Sequence, residues 1–547
     1  MKVGILQLNL TVGDLEGNFK KIVDSIKSTT YPGIDLFVTS ELALLGYPPK
    51  DLLLNHSFIR KAWDKAGDLA NAISGYPPLL LGLADINTSG RGKPLYNTAA
   101  LLSNRRITGR YHKMLLPNYD VFDEYRYFEP ATSSAILNLN GNRIGITICE
   151  DIWNDTDFSS RLYRNNPIED LIKSGVDYLF NLSASPFFVG KQQLRETMLS
   201  EIAKKHKTPV LYTNQIGGND DLVFDGRSCA FNAQGRLFSR AKGFQEDILL
   251  VDLSDTKTNV CDDDFAPESE AWRALVLGTK DYIIKTGFRK VILGLSGGID
   301  SALTAVVAVD AIGKDNVLGV LMPSPFSSKG SVEDSLDLAK RLGIKTIKLP
   351  IKSIMGVFDE TLKDVFKNYP SDVAEENIQS RIRGNLLMAL SNKYNALLLT
   401  TGNKSELAVG YCTIYGDMSG GLAVIADVNK TMVYRIARWV NKTKGNPIPE
   451  SSITKAPSAE LKLNQTDQDT LPVYDTLDQI LYRHIELHES AEEIIKEKFD
   501  KEIVDRVLSM VKKAEFKRKQ AAPGIKITDR AFGTGWRMPI ACNSKLY

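Results

Sequence analysis

Cysteine is scarce in this chain of 547 residues: five thiols, at positions 149, 229, 261, 412 and 542, an odd number with no CxxC spacing. That pattern argues against a disulfide framework and against zinc, and reduced thiols in the cytoplasm are expected. An excess of charge is missing too, since 68 Lys and Arg face 66 Asp and Glu for a formal +2. No electrostatic case for nucleic acid or a membrane surface follows, so small molecules are the expected partners. No apolar run approaches the 18 residues of a membrane span. The opening MKVGILQLNLTVGD is interrupted by Gln7, Asn9 and Asp14 and has no small-residue cleavage site, so it reads as a first strand and not as a secretion signal. Internal repeats and low-complexity segments are absent. His484 and His488 have helical metal-pair spacing, but they sit among Arg483, Glu486 and Glu489, and a solvated helix face is expected.

What the chain does contain is α/β alternation, at a length that exceeds one core. Up to about residue 255 the apolar runs VGILQL, LFVTS, LLLGLA, RIGITI, DYLFNL, PVLYTN and DILLVD are separated by helix-length segments. TKTNVCDDDFAPESE, acidic and broken by Pro267, reads as a linker, followed by a helical stretch over 271–286. Beyond it VILGLS, NVLGVLMP, TIKLPI, ALLLTTG and AVIADV alternate with helical segments such as SVEDSLDLAKRLG, the pattern of βα units around a parallel sheet with ligands at its carboxyl ends. From 477 to 519 the chain reads as charged helix. The expected division is 1–256, a linker with connecting helix over 257–285, and 286–547.

GLSGGIDS, from Gly294 to Ser301, follows the apolar run Val291-Ile292-Leu293 and opens a helical segment. Adjacent Gly297 and Gly298 let the backbone approach an anion, the helix N-terminus offers unpaired N–H donors, and Ser296 and Ser301 add hydroxyls. Leu295 and Ile299 complete the stretch. It lacks the lysine of a P-loop, so pyrophosphate and not γ-phosphate transfer is indicated. Asp300 beside phosphates requires a divalent cation between them, and Mg²⁺ suits its oxygens.

In the front half, Cys149 follows the apolar strand RIGITI at a turn, Glu41 ends another apolar run, and Lys113 lies in GRYHKMLLPNYDVFDEYRYF. An ammonium such as Lys113 favours thiolate, and a carboxylate such as Glu41 can take the thiol proton, return one to a leaving amine and activate water. Chain spacing does not show that the three meet, and each singly could be a structural thiol or a surface charge.

SGGIDS is similar to the signature of the ATP-pyrophosphatase group, whose members adenylate an oxygen, release pyrophosphate and let a nitrogen or sulfur nucleophile displace AMP. SELALLGYPP, YHKMLLPNYDVFDEYRYF and CEDIW resemble the Glu-Lys-Cys triad contexts of the nitrilase superfamily, and specifically the glutaminase domain of glutamine-dependent NAD synthetases. The resemblance spans most of the chain. It implies an α/β fold: a nitrilase-like α-β-β-α sandwich, then a Rossmann-like parallel-sheet domain of the adenine-nucleotide alpha-hydrolase type. It implies Glu41, Lys113 and Cys149 as catalytic, Glu124 as accessory acid, and Tyr119, Ser185 and Lys191 as glutamine-binding. In the rear half TTGNKSELAVGYCTIYGD, EENIQSRIRGNLLM, VNKTMVY and FKRKQAAPGIK resemble segments of the same family. On that match Gly294 to Ser301, Thr401 and Lys430 bind ATP. Asn377, Arg381, Glu406 and Lys517, or Lys519 in its place, bind deamido-NAD, and Asp300 with Glu406 holds Mg²⁺. KAPSAELKLNQTDQDTLPVYDTLD resembles a loop that orders over the nucleotide, and Asp417 falls near the sheet's carboxyl edge. A homo-oligomer and a sheltered ammonia passage are implied as well. Two other readings stay open: an adenylating amidotransferase for another acid, against which the front half speaks, and a nucleotide-binding protein without turnover, against which the intact triad and Asp300 speak.

Overall fold

Val3 and Ile5 of strand Lys2–Gln7 enter one apolar cluster and Leu6 another, so successive side chains face opposite sides of a sheet buried on both. The computed structural model describes residues 1–155, 163–255 and 257–542. In it the chain forms two units, Met1–Phe265 and Ala266–Tyr547. The first holds a six-stranded sheet ordered Asp247–Asp252, Lys2–Gln7, Leu36–Thr39, Leu79–Ile86, Leu95–Ser103, Arg106–His112. Its second large sheet has seven strands, ordered Asn259–Val260, Leu237–Arg240, Cys229–Phe231, Val210–Asn214, Tyr178–Ser183, Asn142–Ile148, Ala135–Leu139. Val3, Ile5, Val38 and Leu80 of the first share a core with Ile144, Ile146, Phe180 and Leu182 of the second. Ile22 and Ile26 of helix Leu15–Ser28, with Ile59 and Leu69 of His56–Ala72, cover one outer face. Ile168 of Pro167–Lys173, with Met198 and Ile202 of Lys191–His206, covers the other. The unit is an α-β-β-α sandwich.

The second unit is built on five parallel strands ordered Lys345–Lys348, Val317–Leu321, Val291–Gly294, Leu397–Thr400, Leu422–Ala423. The chain leaves the central strand Val291–Gly294 toward one side and later returns on the other. The switch point where such sheets take ligands therefore lies where GLSGGIDS begins. Helix Ile299–Ile312 follows directly and is buried on most of its surface, which accounts for its unbroken apolar composition. The tail helices Tyr474–Leu481 and Lys501–Lys513 join a separate cluster through Leu477, Ile480, Val504 and Val507.

Three expectations change. AVIADV contributes only Ala423 to a strand, because the Asp427 carboxylate accepts the N–H groups of Ile527 and Thr528 and the Thr528 hydroxyl, and the backbone turns away from the sheet. The linker is partly structured: Asn259–Val260 pairs with Ser239 and Arg240, and Pro267 opens helix Pro267–Lys285 at its first position, where a missing N–H costs nothing. His484 is buried in the π-helical segment Tyr482–Glu486 with Nδ1 3.2 Å from the Glu489 carbonyl, and His488 lies beyond its end at φ +60, so the two share no solvated helix face. Among the described residues no group of three or more His, Cys, Asp or Glu is arranged to hold a metal, and no helix is long and apolar enough to cross a membrane.

Candidate active sites

Glu41, Lys113 and Cys149 each stand just beyond the end of a strand, Leu36–Thr39, Arg106–His112 and Asn142–Ile148 respectively. The Lys113 ammonium donates to Glu41 Oε1 at 2.7 Å and to Glu124 Oε2 at 2.8 Å, and all three side chains are buried. Sequence reasoning missed the groups that fix them. Asn97 Nδ2 donates to Glu41 Oε1 at 2.7 Å, the Ala184 N–H to Glu41 Oε2 at 3.1 Å, and the Tyr47 hydroxyl to Glu124 Oε1 at 3.0 Å. Cys149 sits at φ +44, a conformation disfavoured for a side-chain-bearing residue, with 3% exposure.

Burial would lower the Lys113 pKa, but the Glu124 and Glu41 carboxylates overcome it and hold the ammonium charged. Burial, followed by the Glu41 carboxylate, pushes the Cys149 thiol well above its usual range, while Lys113 opposes. The lysine thus acts in the expected direction without winning, and the balance favours thiol over thiolate. A base would then assist attack, and the Glu41 side chain could serve.

Tyr119 donates to Glu150 Oε1 at 2.9 Å, next in the chain to Cys149; Glu150 is buried, and burial raises its pKa against the opposing effect of Lys113. Ser185 is buried and its N–H donates to Asn214 Oδ1 at 2.9 Å. Lys191 Nζ donates to the Pro186 carbonyl at 2.7 Å and lies 5.1 Å from the Phe188 ring centre. Tyr119 is therefore tied to the residue next to Cys149, whereas Ser185 and Lys191 flank Pro186. CEDIW already contained Glu150, but nothing local to that string distinguishes it from a surface charge.

In the second unit a cavity of about 450 Å³ opens at the switch point. Gly294, Leu295, Ser296, Gly298, Ile299 and Asp300 line it, with Thr401, Glu406, Lys430, Asn377, Asp417 and Lys517. Its size suits a small-molecule site. Gly297 and Ser301 stand behind this wall. Gly297 has φ +79, and a Cβ there would lie 2.2 Å from the Ser331 carbonyl oxygen. Ser301 Oγ is 3.1 Å from Ser296 Oγ and bonds the Gly298 carbonyl at 3.0 Å. Helix Ile299–Ile312 has no side-chain cap at its N-terminus, the arrangement that suits an anion.

Lys430 Nζ donates to Asp300 Oδ2 at 2.5 Å and to Glu406 Oε1 at 3.2 Å. Asn403, which sequence reasoning passed over, donates to Asp300 Oδ1 at 3.0 Å and caps the short helix Lys404–Val409 that carries Glu406. The N-x-x-E spacing of a capping box was the available signal. Burial, with Asp300 adding, raises the Glu406 pKa, while Lys430 opposes. Burial would lower Lys430, but Asp300 and Glu406 overcome it. Two carboxyl groups around one ammonium present hard oxygen donors to the cavity. That donor set fits Mg²⁺, which takes one or two carboxylates and completes its shell with water and phosphate.

Arg381 does not line the cavity; it is exposed and donates to the Ile414 carbonyl at 3.3 Å. Arg383 does line it, bonded to the Met322 carbonyl at 3.1 Å, with its pKa lowered to about 10 by burial. Lys517 donates to the carbonyls of Gly410 and Cys412 at 2.7 and 2.8 Å, whereas Lys519 is half-exposed beside Glu515, so Lys517 is the tail lysine at the cavity. Asp417 accepts from the Thr413 N–H at 2.6 Å and from Ser380 Oγ at 3.1 Å.

Comparison with known proteins agrees with this division. The carbon-nitrogen hydrolase family matches residues 2–260 and the NAD synthase family residues 271–521. Fold and sites thus define a nitrilase-type hydrolase unit joined to an NAD synthase unit. The glutamine-dependent NAD(+) synthetases of Synechocystis sp. and Thermotoga maritima are 52% and 45% identical, the first covering 98% of both chains and the second 99% of this chain and 98% of its own. The structure of glutamine-dependent NAD+ synthetase from Acinetobacter baumannii in complex with ADP superposes with a TM-score of 0.78 at 40% identity over 98% of each chain. The chain belongs to the family of glutamine-dependent NAD(+) synthetases.

Proposed function

We propose that the chain amidates deamido-NAD⁺ to NAD⁺, taking nitrogen from glutamine and converting ATP to AMP and pyrophosphate. Glu41 removes the Cys149 proton as sulfur attacks the side-chain amide carbon of glutamine, and the Lys113 ammonium, held by Glu124, stabilises the oxyanion. Collapse returns the proton to the leaving nitrogen and frees ammonia. A water deprotonated by Glu41 then cleaves the thioester to glutamate. Tyr119, Ser185 and Lys191 orient the glutamine.

In the second cavity the loop Gly294 to Ser301, with Thr401 and Lys430, binds ATP, and Asn377, Glu406 and Lys517 bind the dinucleotide, with Arg383 on the cavity wall in the place expected of Arg381. The nicotinate carboxylate attacks the α-phosphorus, pyrophosphate leaves, and ammonia displaces AMP from the acyl adenylate. Asp300 and Glu406 would hold Mg²⁺, which would supply neutralising charge to the phosphates. Residues 1–256 form the glutaminase, 257–285 the connector and 286–547 the synthetase. Ammonia is protonated in neutral water, which favours a sheltered passage between the sites. A homo-oligomer agrees with helix Lys352–Phe366, which buries none of its residues and exposes Val357, Phe358 and Val365. Five free cysteines agree with the cytoplasm.

One observation carries this reading: a buried Glu-Lys-Glu cluster beside a thiol and an uncapped Gly-Ser helix entrance beside Asp300 and Lys430 occur in one chain. The test is Cys149→Ala. Glutamine-dependent NAD⁺ formation should fall more than a thousandfold while ammonium-dependent formation persists. Pyrophosphate released only with an acid other than deamido-NAD⁺ would indicate a different amidotransferase.

A further inference from the structure

One buried carboxylate beside the thiol has no part in the chemistry above. Asp151 lies two residues beyond Cys149 and is 2% exposed. Its Oδ2 accepts the Ile148 N–H at 2.9 Å, and its Oδ1 accepts the N–H groups of Met114 at 3.0 Å and Leu115 at 2.8 Å. Three donors thus converge on one side chain, from the residue just before the nucleophile and from the two just after the catalytic lysine. The sequence places these segments more than thirty residues apart.

We propose that Asp151 is a positioning residue that sets the Lys113 ammonium against the Cys149 thiol. The inference rests on the glutaminase reading. Cys149 holds a left-handed backbone conformation that persists only where its surroundings over-determine it. Asp151 grips the residue before it, and Asn181 Nδ2 reaches the Cys149 carbonyl at 3.3 Å. On the other side Lys113 is anchored twice, through its side chain on Glu41 and Glu124 and through the backbone that follows it on Asp151. A carboxyl group presents an acceptor oxygen to each side at once; burial pushes the Asp151 pKa up to about 7, while the Ile148 N–H, Lys113 and the N–H groups of Leu115 and Met114 favour its charged form. An asparagine of the same shape must turn its NH₂ toward one set of N–H groups and release it. Reaction rates respond steeply to sub-ångström misplacement of this kind.

Asp151→Asn tests the idea in the full-length enzyme. Its kcat for glutamine hydrolysis should drop about a hundredfold with KM for glutamine within about threefold, while ammonium-dependent NAD⁺ formation stays near wild type and the melting temperature falls by a few degrees as buried N–H groups lose their acceptor. Iodoacetamide labelling of Cys149 should slow, with its pH midpoint moved upward, because Lys113 is the charge that lowers that thiol's pKa. Should Asp151→Asn not fold, Asp151→Glu keeps both acceptors but displaces them by a methylene, and the same split between kcat and KM is expected. Glutamine kcat near wild type would overturn the proposal, as would lost turnover with an unmoved labelling profile, since a merely structural role leaves the thiol's titration in place. Absence of glutamine hydrolysis in the wild-type protein would instead remove the glutaminase reading itself.

Discussion

Both units centre on a buried lysine bracketed by two carboxylates, and they differ in what surrounds the acids. Lys113, Glu41 and Glu124 have side chains 0, 0 and 7% exposed. Lys430 is 2% exposed, but Asp300 and Glu406 keep 18 and 17% and face the cavity. The first cluster is sealed: Asn97 shares Glu41 Oε1 with the lysine, the Tyr47 hydroxyl shares Glu124 Oε1 with it, and the Ala184 N–H takes Glu41 Oε2, which the lysine leaves free. The second is open on the ligand side, where a phosphate or a hydrated cation can take over one partner. On the proposed function, the same three-charge motif would serve as a fixed scaffold for covalent chemistry in one place and as an exchangeable counter-ion in the other.

Removing each lysine in turn separates the two most sharply. Lys113→Met strands two carboxylates in the interior, where breaking a buried pair costs about 3–5 kcal/mol, and it also removes the oxyanion partner. Glutamine hydrolysis should fall by about a thousandfold or more, and the melting temperature should drop by many degrees. Lys430→Met leaves its carboxylates able to hydrate through the cavity, so melting should shift little while ammonium-dependent NAD⁺ formation falls about a hundredfold. Equal destabilisation by the two variants, read by calorimetry, would erase the distinction between sealed and open clusters.

A finer test lies within the loop that faces the open cluster. Gly297 needs its positive φ, and any Cβ would strike the Ser331 carbonyl. Gly298 has φ −81, and a Cβ there would meet nothing closer than Ser296 Oγ at 3.4 Å. Gly297→Ala should raise KM for ATP or lower kcat by ten- to a hundredfold, and Gly298→Ala by only a few-fold. Neither should alter glutamine hydrolysis measured alone.

The legible parts of the molecule are those written locally. Apolar runs ending at Glu41 and Cys149 marked strand ends, GLSGGIDS marked the switch point, and the parallel sheet followed from βα spacing. Family resemblance, and no spacing rule, pointed to Glu124. What stayed hidden depends on segments far apart in the chain. Asn97 meets Glu41 across 56 residues, and Asp151 meets Leu115 across 36. AVIADV has the composition of a strand and turns aside only because Asp427 finds Ile527 and Thr528 a hundred residues later. Arg381 and Arg383 are two residues apart on one helix, a rotation of about 200°, and only the finished packing decides which enters the cavity.

The smallest expected effect has the most diagnostic sign. The Cys149 thiol is pushed up first by burial and next by the Glu41 carboxylate, with Lys113 acting against both. Glu41→Gln keeps the shape, removes one raising charge and leaves Lys113 with less to neutralise it, so the thiol pKa must fall. Labelling of Cys149 by iodoacetamide at fixed pH below that pKa should therefore speed up a few-fold, even as glutamine turnover collapses for want of a base. On the wall of the second unit's cavity Cys412, pushed up to about 12 with burial as the leading cause, provides the control. Its labelling in the same sample should not change. Were Cys149 labelling to slow in Glu41→Gln, the carboxylate would be assisting thiolate formation at rest, and the sealed cluster would hold a pre-ionised nucleophile in place of a proton waiting for its base.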